Sequence, residues 1–324
     1  MTMTYRETVN QSKAVFGQFG ETKWKPYATA NAALPRRSAW DLQNVGLGKH
    51  LLCVALGASL ENNIDEIKKN RDKFDIITCD KGFRVLIEHG IKPNYVMICD
   101  CNIETKWIQG AWNETADVSL IATPYANPEW TIPWKGPRYF YVNKDAIETE
   151  KVFMPIFGEN MRMIPASSNV SNAMLVFMVG VDEFNHDNFS GYEKFLLTGY
   201  DYSWRPDGNY YAFYNPKPKR YYMHHMTVLG VDGETAFTSS NLHFSARWLS
   251  EYINKLGVPA VNCSGRGLLQ IGSRMSLKDA CARINASRDT YVRVHQNYED
   301  LVAANRIFQN YRNEFENSRR LLWQ

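Results

Sequence analysis

Apolar residues along the chain fall in short unbroken runs separated by amphipathic stretches, an alternation that predicts buried strands joined by helices. The first run, Leu51-Leu52-Cys53-Val54-Ala55-Leu56, has strand length and ends in Gly57-Ala58-Ser59, after which Leu60, Ile64 and Ile67 recur at helical spacing. Phe74-Asp75-Ile76-Ile77-Thr78-Cys79 repeats the pattern, followed by Val85, Leu86 and Gly90, the residue expected just past a helix end. Residues 95–99, 118–122, 139–142, 195–197 and 258–262 read as further strands, and 170–179 as a buried helix. Residues 239–256, with Leu242, Ala246, Leu249 and Ile253 on one face, read as an amphipathic helix. Apolar strands alternating with helices need crossovers that cover both faces of the sheet. The expected fold is therefore α/β, a doubly wound, Rossmann-like and mostly parallel sheet.

Three regions follow from the same pattern. Residues 1–48 carry Pro26, Pro35 and Arg36-Arg37 with weak periodicity and read as an irregular or partly helical lead-in. Residues 49–284 hold the sheet. Residues 285–324 form a helical tail, in which Tyr291, Val294, Tyr298, Leu301, Phe308 and Phe315 are spaced by three, four or seven. Asn305 and Arg312 interrupt that stripe, which favours packing back on the domain over a coiled coil; pairing of subunits through these helices is the alternative. Between 199 and 230 the composition shifts to Tyr, Trp, Pro and Lys, with a Pro206-Asp207-Gly208-Asn209 turn suited to a hairpin or lid.

With 324 residues, 44% of them hydrophobic, the chain can bury a sizeable core, which excludes disorder and small disulfide scaffolds. Thirty-seven Lys and Arg against 34 Asp and Glu give a net charge of +3, too weak for a phosphate-neutralising surface, so nucleic acid is not the expected partner. No apolar stretch is long enough to span a membrane, and the first residues lack the apolar core of a signal peptide, which points to a cytoplasmic protein. The six cysteines (Cys53, Cys79, Cys99, Cys101, Cys263, Cys281) mostly sit in apolar runs and read as buried thiols; Cys99-x-Cys101 has no partner pair at zinc-site spacing, and no metal site is expected from it.

In a doubly wound sheet, ligands bind outside the carboxyl ends of the strands, which singles out four places. Gly57-Ala58-Ser59-Leu60 could offer amides and the Ser59 hydroxyl to a phosphate, or be a plain capped turn; the full G-x-G-x-x-G fingerprint is absent. Asp80 and Asp100 end the second and third strands, a pair suited to ribose or base contacts, a metal, or general-base work, although Asp100-Cys101-Asn102 is not Asp-x-Asp. Ser167, Ser168, Asn169, Ser171 and Asn172 enter an apolar helix, more polar side chains than capping alone requires. Asp201 and Tyr202 precede the aromatic run 210–214 and His224-His225, a combination suited to stacking and to proton exchange or to a packed aromatic lid. Walker, Gly-x-Ser-x-Gly and His-Glu-x-x-His motifs are missing, which removes the usual support for P-loop and hydrolase chemistry.

Taken in order, Leu56-Gly57-Ala58-Ser59-Leu60, Asp80-Lys81-Gly82, His89-Gly90-Ile91-Lys92-Pro93-Asn94-Tyr95, Asp100, Ser168-Asn169-Val170-Ser171-Asn172-Ala173, Leu197-Thr198-Gly199-Tyr200-Asp201 and Gly233-Glu234-Thr235-Ala236-Phe237-Thr238 resemble the 6-hydroxymethylpterin diphosphokinase-like (MptE-like) family, which includes motility accessory factors. The resemblance spans about residues 50–275 and extends, more distantly, to bacterial sialyltransferases. It implies a transferase with a nucleotide-activated donor, most simply a glycosyltransferase using a CMP-nonulosonate and needing no cofactor. The alternatives are an ATP-dependent 6-hydroxymethyl-7,8-dihydropterin diphosphokinase, which would need Mg²⁺, and a non-catalytic nucleotide-binding or scaffold protein. The implied nucleotide contacts are Gly57, Ser59, Asp80, Asp100, Asn102, Ser168, Asn169, Asp201 and Tyr202. The implied phosphate-holding tyrosine is Tyr211 in Tyr211-Ala212-Phe213, a second such tyrosine falls at Ser203, and His224, His225 and His243 compete for the general base. The acceptor would be a glycan, a protein or a small molecule.

Overall fold

The computed structural model describes residues 21–143, 153, 155–165, 169–180, 188–204, 210–214 and 225–291. The chain divides into two units, 1–281 and 282–324. In the first, eight parallel strands form one sheet, in the order β10-β7-β1-β2-β3-β4-β5-β6. These are β1 (His50–Val54), β2 (Asp75–Cys79), β3 (Tyr95–Ile98), β4 (Ser119–Ala122), β5 (Arg138–Asn143), β6 (Arg162–Ile164), β7 (Lys194–Thr198) and β10 (Ala260–Asn262). Separately, β8 (His225–Leu229) and β9 (Thr235–Ser239) form an antiparallel hairpin. The helices are α1 (Glu21–Ala32), α2 (Ile64–Lys69), α3 (Asp80–Glu88), α4 (Pro128–Thr131), α5 (Val170–Val179), α6 (Ser240–Leu256) and α7 (Leu277–Tyr291); the described part of the second unit is the continuation of α7.

The doubly wound parallel sheet read from the apolar runs is the fold observed. Strand alternation assigns the two faces. Phe140 and Val142 of β5 point into a core shared with Val96, Phe83 of α3 and the fully buried Trp130 and Trp134. Tyr141, between them, turns the other way and meets Phe177 of α5 with ring centroids 5.8 Å apart. Helix α5 is apolar all round because it lies beneath other structure; Ala173 to Val179 are all buried, and it packs on β1, β2, β3 and β6.

Among the strands, β6 and the β8–β9 hairpin were not legible in the pattern. Strand β6 is a three-residue edge strand whose Arg162 is buried against the Phe189 ring, 3.4 Å from its centroid, so its sequence carries no apolar run. The β8–β9 hairpin is half-exposed and alternating, and the turn expected at 206–209 lies outside the described residues. The lead-in supplies α1, whose Asn31 is fully buried and donates to the carbonyls of Pro124 (2.7 Å) and Ala126 (2.9 Å). All six cysteines are free, and burial pushes the Cys79 thiol up to about 12. Among the described residues no helix is long and apolar enough to cross a membrane.

The strand order matters most for function. The chain steps outward from β1 to β6, then returns to lay β7 on the opposite side of β1. The topological switch point therefore falls between β1 and β7, where a crevice at the carboxyl edge is expected.

Candidate active site

At the switch point the chain leaves β1 through Gly57 and leaves β7 through Gly199, and the two turns are bonded to each other. The Gly57 amide donates to the Gly199 carbonyl at 2.9 Å. A Cβ at residue 57 would lie 2.5 Å from that oxygen and 2.7 Å from Asp201 Cγ, so only glycine permits the approach. Ser59 is fully buried; its amide donates to Asp201 Oδ2 at 2.8 Å and its hydroxyl donates to Oδ1. Arg266 Nε donates to the same carboxylate at 3.2 Å. Burial pushes the Asp201 carboxyl above the usual carboxylate range, against the pull of the Ser59 hydroxyl and the Arg266 charge. Ser59 and Asp201 thus face each other, and together they fasten the first turn of the sheet to the fourth place singled out in the sequence.

The neighbouring residues are engaged in a similar way. Asn169 caps α5, its side-chain oxygen accepting from the Asn172 amide (2.9 Å) and the Ser171 hydroxyl (2.7 Å). Tyr202, at φ +53°, donates its hydroxyl to buried Asn172, and its carbonyl accepts from Thr238 Oγ1 at 2.7 Å. Ser203 is buried and donates to the Asp201 carbonyl. Ser168 and His224 lie outside the described residues.

One strand further along the edge, a second group is more open. Asp80 starts α3 directly from the end of β2, where the helix dipole favours an acid. It is buried, its Oδ1 accepts from the Lys81 amide at 2.6 Å, and burial pushes its carboxyl up to about 6, opposed by Lys81 and reinforced by Asp100. Asp100, at the end of β3, is half-buried and accepts from the Asn102 amide at 2.7 Å, while Asn102 itself is exposed.

Lys81 occupies a position the dipole disfavours for a cation. Aromatic faces hold it there: its Nζ is 4.7 Å from the Trp107 ring centroid and 4.8 Å from that of Tyr211, and it donates to Tyr211 Oη at 3.1 Å. Tyr211 arrives on a tight turn, 211–214, pinned over the first βα turn by Ala212 N–H to the Leu56 carbonyl (3.0 Å) and Phe213 N–H to Glu61 Oε1 (2.7 Å). Trp107 also meets Tyr214 edge-on, with centroids 5.2 Å apart.

The structure therefore brings Asp80, Asp100 and Tyr211 to one stretch of rim, and Gly57, Ser59 and Asp201 to the adjoining switch point. His243 is elsewhere, lining a cavity of about 540 Å³ with Leu229, Arg247, Glu251 and Leu268, to which none of Ser59, Asp80, Asp100, Asp201 and Tyr211 contributes. For His225 only the backbone, in β8, is described. Sequence reasoning passed over Lys81, Trp107 and Arg266. A lysine opening a helix immediately after a strand-end aspartate was a usable signal for the first, because the dipole gives it no local reason to be there. Nothing local marked the other two.

An open parallel sheet whose carboxyl rim gathers two acids, a cation and a tyrosine beside its switch point is a doubly wound α/β fold, the class in which ligands ordinarily bind at that edge. Residues 29–206, more than half of the chain, match the family described as 6-hydroxymethylpterin diphosphokinase MptE-like, and the chain belongs to that family. Among solved structures it is similar to the MAf glycosyltransferase from Magnetospirillum magneticum AMB-1, with a TM-score of 0.57 and 20% identity over 83% of this chain and 41% of that one. At that identity the likeness is one of fold, and the chain spans less than half the length of that protein. No curated protein matches it.

Proposed function

We propose that this protein is a transferase acting on a nucleotide-activated donor, with a glycosyltransferase using a CMP-nonulosonate-type sugar as the favoured reading. The observation that carries it is the Lys81–Tyr211 pair beside Asp80 on the carboxyl edge. The ammonium donates to the phenol oxygen, which polarises the O–H bond and makes the phenol a stronger donor. Such a pair suits a departing phosphate, on which negative charge develops as the glycosidic C–O bond breaks. The acceptor hydroxyl attacks the anomeric carbon, the bond to phosphate breaks with its electron pair on CMP, and the acceptor's proton passes to a base. Asp80, pushed up to about 6, is ionised at neutral pH yet basic enough for that transfer, a role the resemblance gives to a histidine. Trp107 and Tyr214 supply aromatic surface next to the pair.

The diphosphokinase reading is kept because of the family match and because Asp80 and Asp100 end neighbouring strands closely enough for Asp100 to raise the cost of ionising Asp80. Two such carboxylates fit a Mg²⁺ ion shared with phosphate oxygens, and Asp80 and Asp100 would hold it. That ion would neutralise diphosphate charge; Asn102 supplies a neutral amide where an Asp-x-Asp pattern has its second acid.

The test is to incubate the full chain with CMP-N-acetylneuraminate, and separately with ATP and 6-hydroxymethyl-7,8-dihydropterin, with and without Mg²⁺. CMP release that persists without metal and falls in Lys81→Met and Tyr211→Phe is the expected result. AMP release alone, and only with Mg²⁺, would overturn the sugar reading. Failure of every nucleotide to raise the melting temperature would leave a non-catalytic scaffold, since a ligand at a hundred times its Kd adds about 2.7 kcal/mol.

A further inference from the structure

The first βα turn of a doubly wound sheet ordinarily cradles a phosphate on its amides. Here three of those amides are already engaged: Gly57 N–H on the Gly199 carbonyl (2.9 Å), Ser59 N–H on Asp201 (2.8 Å) and Leu60 N–H on the Gly57 carbonyl (3.0 Å). An anion at the switch point therefore needs donors beyond this turn, and the loop after β10 offers one.

That loop, 263–268, is tied to the exit of β7 on both sides of Arg266. Cys263 N–H donates to the Leu197 carbonyl (2.8 Å), Tyr200 N–H to Ser264 Oγ (3.0 Å) and Leu268 N–H to the Asp201 carbonyl (2.9 Å). Gly267, at φ +96°, approaches so closely that a Cβ there would sit 2.3 Å from the Asp201 carbonyl oxygen. Arg266 is held on this platform through Nε alone, on a carboxylate that is 1% exposed, while its own side chain is 25% exposed. Its two terminal nitrogens make no hydrogen bond to any described residue. A guanidinium aligned through Nε by a buried carboxylate presents its free N–H edge in a fixed plane, which is the geometry that matches an oxyanion bidentately.

We infer that Arg266, aligned by the Ser59–Asp201 pair, forms an oxyanion subsite at the switch point and takes the phosphate, or the sugar carboxylate, of the nucleotide-activated ligand. This deepens the reading above and rests on it, by naming the group that grips the charged part of the donor on the β1/β7 side of the rim. Lys81 and Tyr211 face the ligand from the β2 side.

The experiment titrates full-length wild type, Arg266→Gln and Arg266→Lys with cytidine, CMP and CMP-N-acetylneuraminate, and with adenosine and ATP, by calorimetry. Arg266→Gln is expected to weaken CMP roughly ten- to a hundredfold while leaving cytidine unchanged, with Arg266→Lys between, because a point charge replaces only part of the fork. A loss confined to CMP-N-acetylneuraminate also supports the subsite and assigns it to the carboxylate. If both Arg266 variants bind every nucleotide as wild type does, or if nucleoside and nucleotide weaken equally, the subsite is overturned and the proposed function stands. If wild type binds none of the nucleotides, the proposed function fails and the subsite with it.

Discussion

Asp80 gives the sharpest test of the physical reading, because its burial and its chemistry pull in opposite directions. Moving its carboxyl from an ordinary 3.8 to about 6 means that the folded chain holds a proton the unfolded chain has released between those values. Stability then falls as pH rises through that window, since the native state binds more protons there, and the whole effect is about 3 kcal/mol at pH 7 and above. Asp80→Asn keeps an oxygen to accept the Lys81 amide, now bonded at 2.6 Å, and removes the charge. The attraction of Lys81 is already contained in the net shift. The variant should therefore match wild type near pH 4 and exceed it by about 3 kcal/mol at pH 8, while losing transfer activity by at least about a hundredfold. Urea unfolding of both proteins at half-unit steps from pH 4 to pH 8 measures the difference curve. Asp100→Asn should move its midpoint down, because Asp100 adds to the shift. A difference independent of pH, or a destabilisation that grows with pH, would show that the carboxylate is held as the partner of Lys81 and that burial does not dominate.

Other consequences are simpler to check. Ser59→Ala removes a hydroxyl donor from the buried Asp201 carboxylate and should cost about 1.5 to 3 kcal/mol in urea unfolding, with Ser59→Thr recovering part of it. In Gly82→Ala the new Cβ would lie 2.2 Å from Thr78 Oγ1, whose hydroxyl donates to the Val54 carbonyl at 2.9 Å. A helical Gly→Ala change ordinarily stabilises by up to about 1 kcal/mol; here the contact reverses the sign, and a loss of about 1 to 3 kcal/mol is expected in the same assay.

Much of the architecture is written in local pattern. Parallel strands covered on both faces must be apolar throughout, so 50–54, 75–79, 95–98 and 119–122 declare themselves as strands by composition alone. Gly257 at the end of α6, at φ +64°, is equally local, because the left-handed turn it makes is set by its missing side chain. Asp80 and Asp100 were visible as strand-end acids for the same reason: their place follows from where an apolar run stops. By contrast, β6 escaped because an edge strand of three residues with a buried arginine has no apolar signature.

Partnership across the chain is what the fold alone decided. Ser59 and Asp201 are 142 positions apart, and each by itself looks like a residue waiting for a ligand; only the adjacency of β1 and β7 turns them toward each other. Lys81 meets Tyr211 across 130 positions, and Arg266 meets Asp201 across 65, through loops whose spacing carries no period. Hydrophobic periodicity is a property of neighbours and survives in one dimension. The charge, burial and hydrogen bonding that set the role of an acid or a cation depend on groups brought near by strand order, and these exist only once the sheet has closed.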